Sequence, residues 1–469
     1  MRSLITPVLL LNLFVAALPV SSSTQIPRPN FVVIFCDDLG YGDLGAFGHP
    51  NIRTPNLDRL AMQGQKWTNF YACAPVCTPS RAGLLTGRLP VRSGMASDTR
   101  AVLFPDSGGG LPASEITIGE LLKSRGYATA AIGKWHLGHL KQYLPADHGF
   151  DSYFGVPYSN DMDWILSSAT REERFAKIKS PKIEYWNVPL MRNERVIERP
   201  ADQTTLTQRY TEEAISFIRA NRRKPFFLYL AHTMPHVPLF RSKRFEGRSL
   251  SGLYGDVIEE LDWSVGRVIE VLRQLKLERN TVVIFTSDNG PWHIFGEQSG
   301  SAGPLRGAKG GTFEGGMRVP TIFWSPGTIK SGVVTDTGST LDLLPTLCRL
   351  AGVDIPKDRT IDGYDLAPVL RGAGSSRRKE MFYYRGTKLY AVRNGSFKAH
   401  FYTKSEYGQD PEVTHDPPLL FNLDVDPSEK FDVAKQHPEI IAEIRKLADR
   451  HKATIESVEN QLDKPLEAK

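Results

Sequence analysis

Two short acidic segments stand where chemistry could be done. Asp37-Asp38 follows the apolar run 31–36, and Asp288-Asn289 follows the run 281–287. Either pair alone reads as a turn or a helix cap. Together, both after runs typical of buried strands, they put three carboxylates and an amide at the carboxyl ends of neighbouring strands, where open α/β sheets hold their ligands. Like charges so close repel unless a cation sits between them. Oxygen-only ligands suit a hard cation, Ca²⁺ or Mg²⁺, and several carboxylates in a flexible site favour Ca²⁺. A nucleophile candidate lies in Cys77-Thr78-Pro79-Ser80-Arg81. Pro79 suits a first helical turn and Thr78 or Ser80 can cap it, so Cys77 falls at the start of a helix over 82–89. A Cys there is either a low-pKa thiolate or simply a buried thiol. Cationic donors complete the set: Lys134, His136 and His139 after one apolar run, His232 and His236 after another, and Lys309 in the Gly-rich stretch 303–316. Singly, such loop residues are usually solvated. Gathered at one sheet edge, they suit a doubly charged tetrahedral oxyanion.

The elements needed to gather them are legible. Apolar runs at 31–36, 128–132, 226–231, 281–286 and 321–324 alternate with helical patterns at 56–63, 114–125, 204–222, 255–275 and 340–351. That alternation predicts an α/β fold, a mostly parallel sheet with helices on both faces. Residues 151–199, rich in charges and aromatics, read as an excursion from the sheet. After about residue 356 the pattern changes to short strands at 381–384, 389–392, 398–402 and 419–422, a hairpin turn at Asn394-Gly395, and a helix at 438–455. This predicts a smaller α+β part, an antiparallel sheet plus helix, with a polar, frayed tail from 460. The expected division is 1–23, 27–355 and 356–469.

Composition bounds the rest. The chain has 469 residues, too many for one hydrophobic core, with 41% hydrophobic and 23% charged residues. The net charge of +6 is interspersed, and no basic run or Lys/Arg-aromatic stripe gives reason to expect a nucleic-acid partner. Arg2, an interrupted apolar run over 4–20 and Ser21-Ser22-Ser23 read as a cleavable secretory signal, not a membrane span. The expected location is secreted or periplasmic, or lysosomal in a eukaryotic host. Four cysteines, Cys36, Cys73, Cys77 and Cys348, are too few for disulfides to hold the fold, and Cys36 and Cys348 are expected to be buried thiols.

Taken together, these motifs resemble the type I, formylglycine-dependent sulfatases of the alkaline-phosphatase-like fold, nearest to the group holding arylsulfatase A and N-acetylgalactosamine-6-sulfatase. The residues that carry the resemblance are Asp37-Asp38-Leu39-Gly40-Tyr41-Gly42-Asp43, the Cys77 motif running on to Leu84-Leu85-Thr86-Gly87-Arg88, Gly133-Lys134-Trp135-His136-Leu137-Gly138, Thr286-Ser287-Asp288-Asn289-Gly290 and Thr312-Phe313-Glu314-Gly315-Gly316-Met317-Arg318. In the smaller part, Ile361-Asp362-Gly363 and Lys398-Ala399-His400-Phe401 belong to the same pattern.

The resemblance implies that Asp37, Asp38, Asp288 and Asn289 bind one Ca²⁺ per chain. It implies that a formylglycine-generating enzyme oxidises Cys77 to formylglycine, whose hydrate attacks sulfur in line. Asp288 would take the proton of the attacking hydroxyl, His236 and Lys309 would contact the sulfate and help protonate the leaving oxygen, and His136 would deprotonate the second hydroxyl to expel sulfate. Arg81 and Lys134 would hold the diol. The implied substrate is a sulfated carbohydrate or an aryl sulfate. His139 and His232 remain open between substrate contact and a structural hydrogen bond, and Asp43 reads as a loop-ordering residue. Two other readings compete: a phosphomonoesterase or phosphodiesterase on the same fold, and a non-catalytic secreted glycan-binding scaffold.

Overall fold

A computed structural model describes residues 28–165, 170–406 and 411–466. The secretory signal expected at 1–23 lies outside the described residues. Ten strands form the main sheet: β1 (Asn30–Cys36), β2 (Gln65–Tyr71), β3 (Ala128–Lys134), β4 (Ser152–Val156), β5 (Leu190–Arg192), β6 (Arg195–Glu198), β7 (Phe226–Ala231), β8 (Thr281–Ser287), β9 (Thr321–Trp324) and β10 (Gly332–Ser339). Their spatial order is β10-β2-β9-β8-β1-β7-β3-β4-β5-β6. The central run β8-β1-β7-β3-β4 is parallel throughout. It is buried on both faces, so its strands are apolar without alternation.

The two faces of β1 show how the layers are built. Val32 and Ile34 pack with Leu57, Tyr210, Ile218 and Val265 from three helices on one side. Phe31, Val33 and Phe35 pack with Leu84, Leu122 and Leu344 from helices on the other. The helix expected over 114–125 is only Ile118–Lys123, because Thr117 and Glu120 form a capping box that fixes its start.

A second, four-stranded antiparallel sheet follows: β11 (Glu380–Arg385), β12 (Lys388–Asn394), β13 (Phe397–Thr403) and β14 (Val413–Asn422), with the helix Pro438–Lys452 against it. Its core is shared with the first part. Val392, Ala399, Leu420 and Ile444 pack with Cys73, Leu89 and Leu341.

Three expectations need correction. Residues 151–199 are no excursion: they supply β4, β5 and β6 and complete one edge of the sheet. The hairpin turn after β12 is Gly395-Ser396, since Asn394 still pairs with Phe397. The tail does not fray over its described part. Leu462 is fully buried, Gln461 N donates to Gly94 O (2.9 Å), and Gly108 N donates to Lys464 O (2.8 Å).

Candidate active site

Four adjacent parallel strands, β8, β1, β7 and β3, deliver the reactive residues from their carboxyl ends. Asp37 and Asp38 leave β1, Asp288 and Asn289 leave β8, His232 and His236 follow β7, and Lys134 ends β3 with His136 just beyond. Asp38 (φ 63°) and His136 (φ 59°) take left-handed backbone conformations, which few non-Gly residues adopt outside sites that need a side chain re-aimed. Gly133 (φ 105°) is obligatory beside them, because a Cβ there would meet Ala231 O at 1.8 Å.

Cys77 is the first residue of the helix Cys77–Thr86, which starts five residues earlier than the sequence suggested and stops at Gly87 (φ 67°). Neither Thr78 nor Ser80 caps it. The cap residue is Val76, and Thr78 Oγ1 donates instead to the His136 carbonyl (3.0 Å). Cys77 Sγ donates to Asp37 Oδ1 (3.2 Å), and Lys309 Nζ stands 3.5 Å from the sulfur. Burial first, then the negative charge of Asp37, pushes its thiol pKa well up. Beside Asp37 the arrangement favours the thiol over the thiolate, since the helix start does not offset the adjacent carboxylate.

The remaining groups interlock. Arg81 donates to Asp288 Oδ2 from Nη2 (2.8 Å) and Nε (3.2 Å), and to the Lys134 carbonyl (2.9 Å). Lys134 Nζ is bound to Asp37 Oδ2 and donates to Ser159 Oγ (3.0 Å). Lys309 Nζ bridges both oxygens of Asp38, at 2.8 and 2.9 Å. His236 directs Nδ1 at the Val237 carbonyl, leaving Nε2 3.6 Å from Asp38 Oδ2. His136 Nε2 meets the Leu103 carbonyl (2.8 Å), and its buried Nδ1 has no partner.

Charge crowding shows in the titration directions. Burial and the neighbouring Asp37 push Asp288 up to about 7. Burial, opposed by Lys309, leaves Asp38 raised. Burial also acts to raise Asp37, but Lys134, His236, Arg81 and Lys309 outweigh it and hold that carboxyl well below its ordinary value.

Four donors, Asp37, Asp38, Cys77 and His236, lie within 4.8 Å of one another, close enough to share a metal ion. Asn289 donates from Nδ2 to Asp38 Oδ1 (2.7 Å), which turns its buried Oδ1 away without any donor. A buried carbonyl oxygen without a partner beside crowded carboxylates fits a hard cation.

Other residues fall outside the centre. His232 is fully buried and its Nε2 lies 3.2 Å from Ser264 Oγ, a structural contact. His139 packs edge-on against Tyr158. Asp43 accepts from Gly40 N, Ser301 N and Tyr254 OH, each at 2.6 Å, and so orders the loop after β1. All four cysteines are free and buried.

Sequence reasoning missed Ser159 and Trp292. Ser159 follows β4, so the strand-end rule would have flagged it had β4 been recognised. Trp292, three residues beyond Asn289, lays its ring 4.4 Å from Lys309 Nζ.

Comparison with known proteins decides the family. A sulfatase family model matches residues 29–353, and a model of the C-terminal region of aryl-sulfatase matches residues 376–468. This chain belongs to the sulfatase family. It is 42% identical to arylsulfatase A of Homo sapiens over 445 residues, covering 89% of this chain and 87% of that protein. It is 40% identical to N-acetylgalactosamine-6-sulfatase of Sus scrofa over 468 residues, covering 94% and 88%. The crystal structure of PsFucS1 sulfatase from Pseudoalteromonas sp. superposes with a TM-score of 0.81 at 30% identity, covering 92% of each chain. The protein is a sulfuric ester hydrolase with the alkaline-phosphatase-like α/β architecture and a separate antiparallel C-terminal sheet. Among the described residues, no helix is long and apolar enough to cross a membrane.

Proposed function

We propose that this sulfatase acts on sulfated carbohydrates through a formylglycine made from Cys77, with one Ca²⁺ held by Asp37, Asp38, Asp288 and Asn289. The observation that carries this reading is the meeting of Cys77, three carboxylates and Lys309 in one buried centre. The hydrated aldehyde supplies an oxygen nucleophile that a thiol cannot replace, and Ca²⁺ supplies positive charge for the sulfate oxygens.

The chain's own side chains do the remaining work. Arg81 and Lys134 balance negative charge around the nucleophile, each already tied to a carboxylate. Asp288 is the base for the attacking hydroxyl. Lys309 and His236 Nε2 face the sulfate and carry a proton to the leaving oxygen. His136 Nδ1, buried and without a partner, takes the proton that releases sulfate. Dense packing around these groups keeps water out, which strengthens each electrostatic contact.

The chain divides in this reading into a catalytic part, 27–355, and a C-terminal part, 356–469, the second sheet beginning within the latter. Segment 1–23 directs export, to a secreted, periplasmic or lysosomal location. A formylglycine-generating enzyme is the maturation partner. The test is to produce the protein with and without that enzyme and assay 4-nitrophenyl sulfate and 4-nitrophenyl phosphate. Sulfate hydrolysis that depends on maturation and on added Ca²⁺ supports the reading. Phosphate hydrolysis alone, indifferent to maturation, overturns it.

A further inference from the structure

A cleft of about 430 Å³ opens where the catalytic part meets the second sheet, a size suited to a small organic ligand. One wall carries Val76 and Pro79, on either side of Cys77, and Gly310, the neighbour of Lys309. The facing wall carries Arg385, Lys388, Tyr390 and Lys404.

The two walls are tied to the catalytic centre. Gly310 N donates to the Pro75 carbonyl (2.8 Å), Arg385 Nε donates to the Gly310 carbonyl (2.8 Å), and Ala308 N donates to the Ser405 carbonyl (3.3 Å). Cys77, Asp37 and Arg81 themselves are buried, at 1% exposure or less, and do not line the cleft; its link to them is through their chain neighbours. A sulfate group can enter the enclosed centre, but the alcohol portion of the ester has to remain outside it.

The charges of the cleft are uneven. Its two carboxylates are already engaged: Asp98 accepts from Thr387 N (2.8 Å), and Glu412 accepts from Lys388 Nζ (2.5 Å) and from Tyr390 OH. Lys388 also lies 3.5 Å from the Tyr402 ring. Lys404 has no ion-pair partner among the described residues. Proline and tyrosine surfaces on both walls offer apolar contact to the C–H face of a ring. The surplus is therefore cationic, beside a surface that suits a sugar.

Resting on the function proposed above, we propose that this cleft is the subsite for the leaving saccharide. It selects a saccharide bearing a second anionic group, a carboxylate or another sulfate, through Lys404 with Lys388. Charge-assisted hydrogen bonds in a half-buried cleft discriminate by about tenfold.

The experiment compares three monosulfated disaccharides: one otherwise neutral, one carrying a uronate carboxylate, and one carrying a second sulfate. The wild-type enzyme should show a kcat/KM about tenfold higher for one or both of the anionic substrates than for the neutral one. The arm that is favoured identifies the anion. Lys404→Gln should erase that ratio. Glu412→Gln, which frees Lys388, should raise it a few-fold. Equal kcat/KM for all three substrates, or a preference untouched by both variants, overturns the subsite while leaving the sulfatase reading intact. Failure to release sulfate from any of the three, or from 4-nitrophenyl sulfate, overturns both.

Discussion

Two of the buried carboxylate–cation clusters among the described residues handle charge differently. One joins the catalytic part to the second sheet. Glu314 accepts from Lys398 Nζ (2.9 Å) and Tyr71 OH (2.6 Å), while Glu429 accepts from His400 Nε2 and from Glu314 N, each at 2.6 Å. Lys398 sits between the two carboxylates, 3.1 Å from Glu429. Burial would raise Glu314, but Lys398, Arg318 and Arg393 overcome it and hold its pKa at about 2. The other cluster is the active site, where Asp37, Asp38 and Asp288 crowd one another and Asp288 is pushed up instead. The first cluster is a structural joint between the two parts. The second has an oxygen of Asn289 without a donor beside crowded carboxylates, an arrangement that suits a further cation. Burial alone does not mark a functional charge cluster; in the active site Asp37 is held down while Asp38 and Asp288 beside it are pushed up, a split imposed by three carboxylates crowding one another.

The largest expected effect belongs to the active-site cluster. Cys77→Ala should lower kcat for an aryl sulfate by more than about a thousandfold, the scale of losing a covalent nucleophile, with the cooperative unfolding transition preserved. Retained turnover would remove Cys77 from the mechanism.

Stability should respond in the reverse order. Lys398→Met leaves Glu314 and Glu429 buried without their shared ammonium and should cost about 3–5 kcal/mol in denaturant unfolding. Asp38→Asn in metal-free protein relieves crowding with Asp37 and Asp288 but weakens the ion pair with Lys309, so its net cost should be smaller, about 1–2 kcal/mol. Similar costs for the two substitutions would erase the contrast.

Calcium sharpens the same comparison. At a concentration a hundredfold above its Kd, Ca²⁺ should stabilise the wild-type protein by about 2.7 kcal/mol. Asp38→Asn should lose most of that gain, and Lys398→Met should keep it. Thermal unfolding with and without chelator reads all three proteins.

The most gradual effect concerns acid. Glu314 binds its proton less readily in the folded chain than its ordinary value of 4.5 implies. Its contribution is fully present above that value and is lost as pH falls from about 4.5 through about 2. Glu314→Gln should flatten this branch of the stability curve by up to about 1.4 kcal/mol per pH unit. An unchanged branch would place the acid sensitivity elsewhere.

The same contrast explains what could be read from sequence. Asp37, Asp38, Lys134, His136, His236, Asp288 and Asn289 lie soon after β1, β3, β7 and β8, strands whose apolar runs announce burial on both faces, so strand ends pointed to them, whereas Cys77 and Lys309 were legible only from their local motifs. β2, with the sequence Gln-Lys-Trp-Thr-Asn-Phe-Tyr, and β10, exposed over its first half at the sheet edge, carry no such run and were missed. β4 hid in a charged segment, and Ser159 with it. The joint between Glu314, Lys398 and Glu429 spans up to 115 residues of chain, and no local pattern encodes which Lys meets which Glu. Leu462 was lost among polar neighbours, although one buried leucine and a few backbone hydrogen bonds suffice to dock the tail.

The central claim is that residue 77 acts as an aldehyde. Mass spectrometry of the peptide spanning Cys77, on protein produced with a formylglycine-generating enzyme and active on an aryl sulfate, tests it most directly. The account predicts formylglycine, with the modified fraction rising in proportion to specific activity. A fully active preparation whose residue 77 is an unmodified cysteine would contradict it.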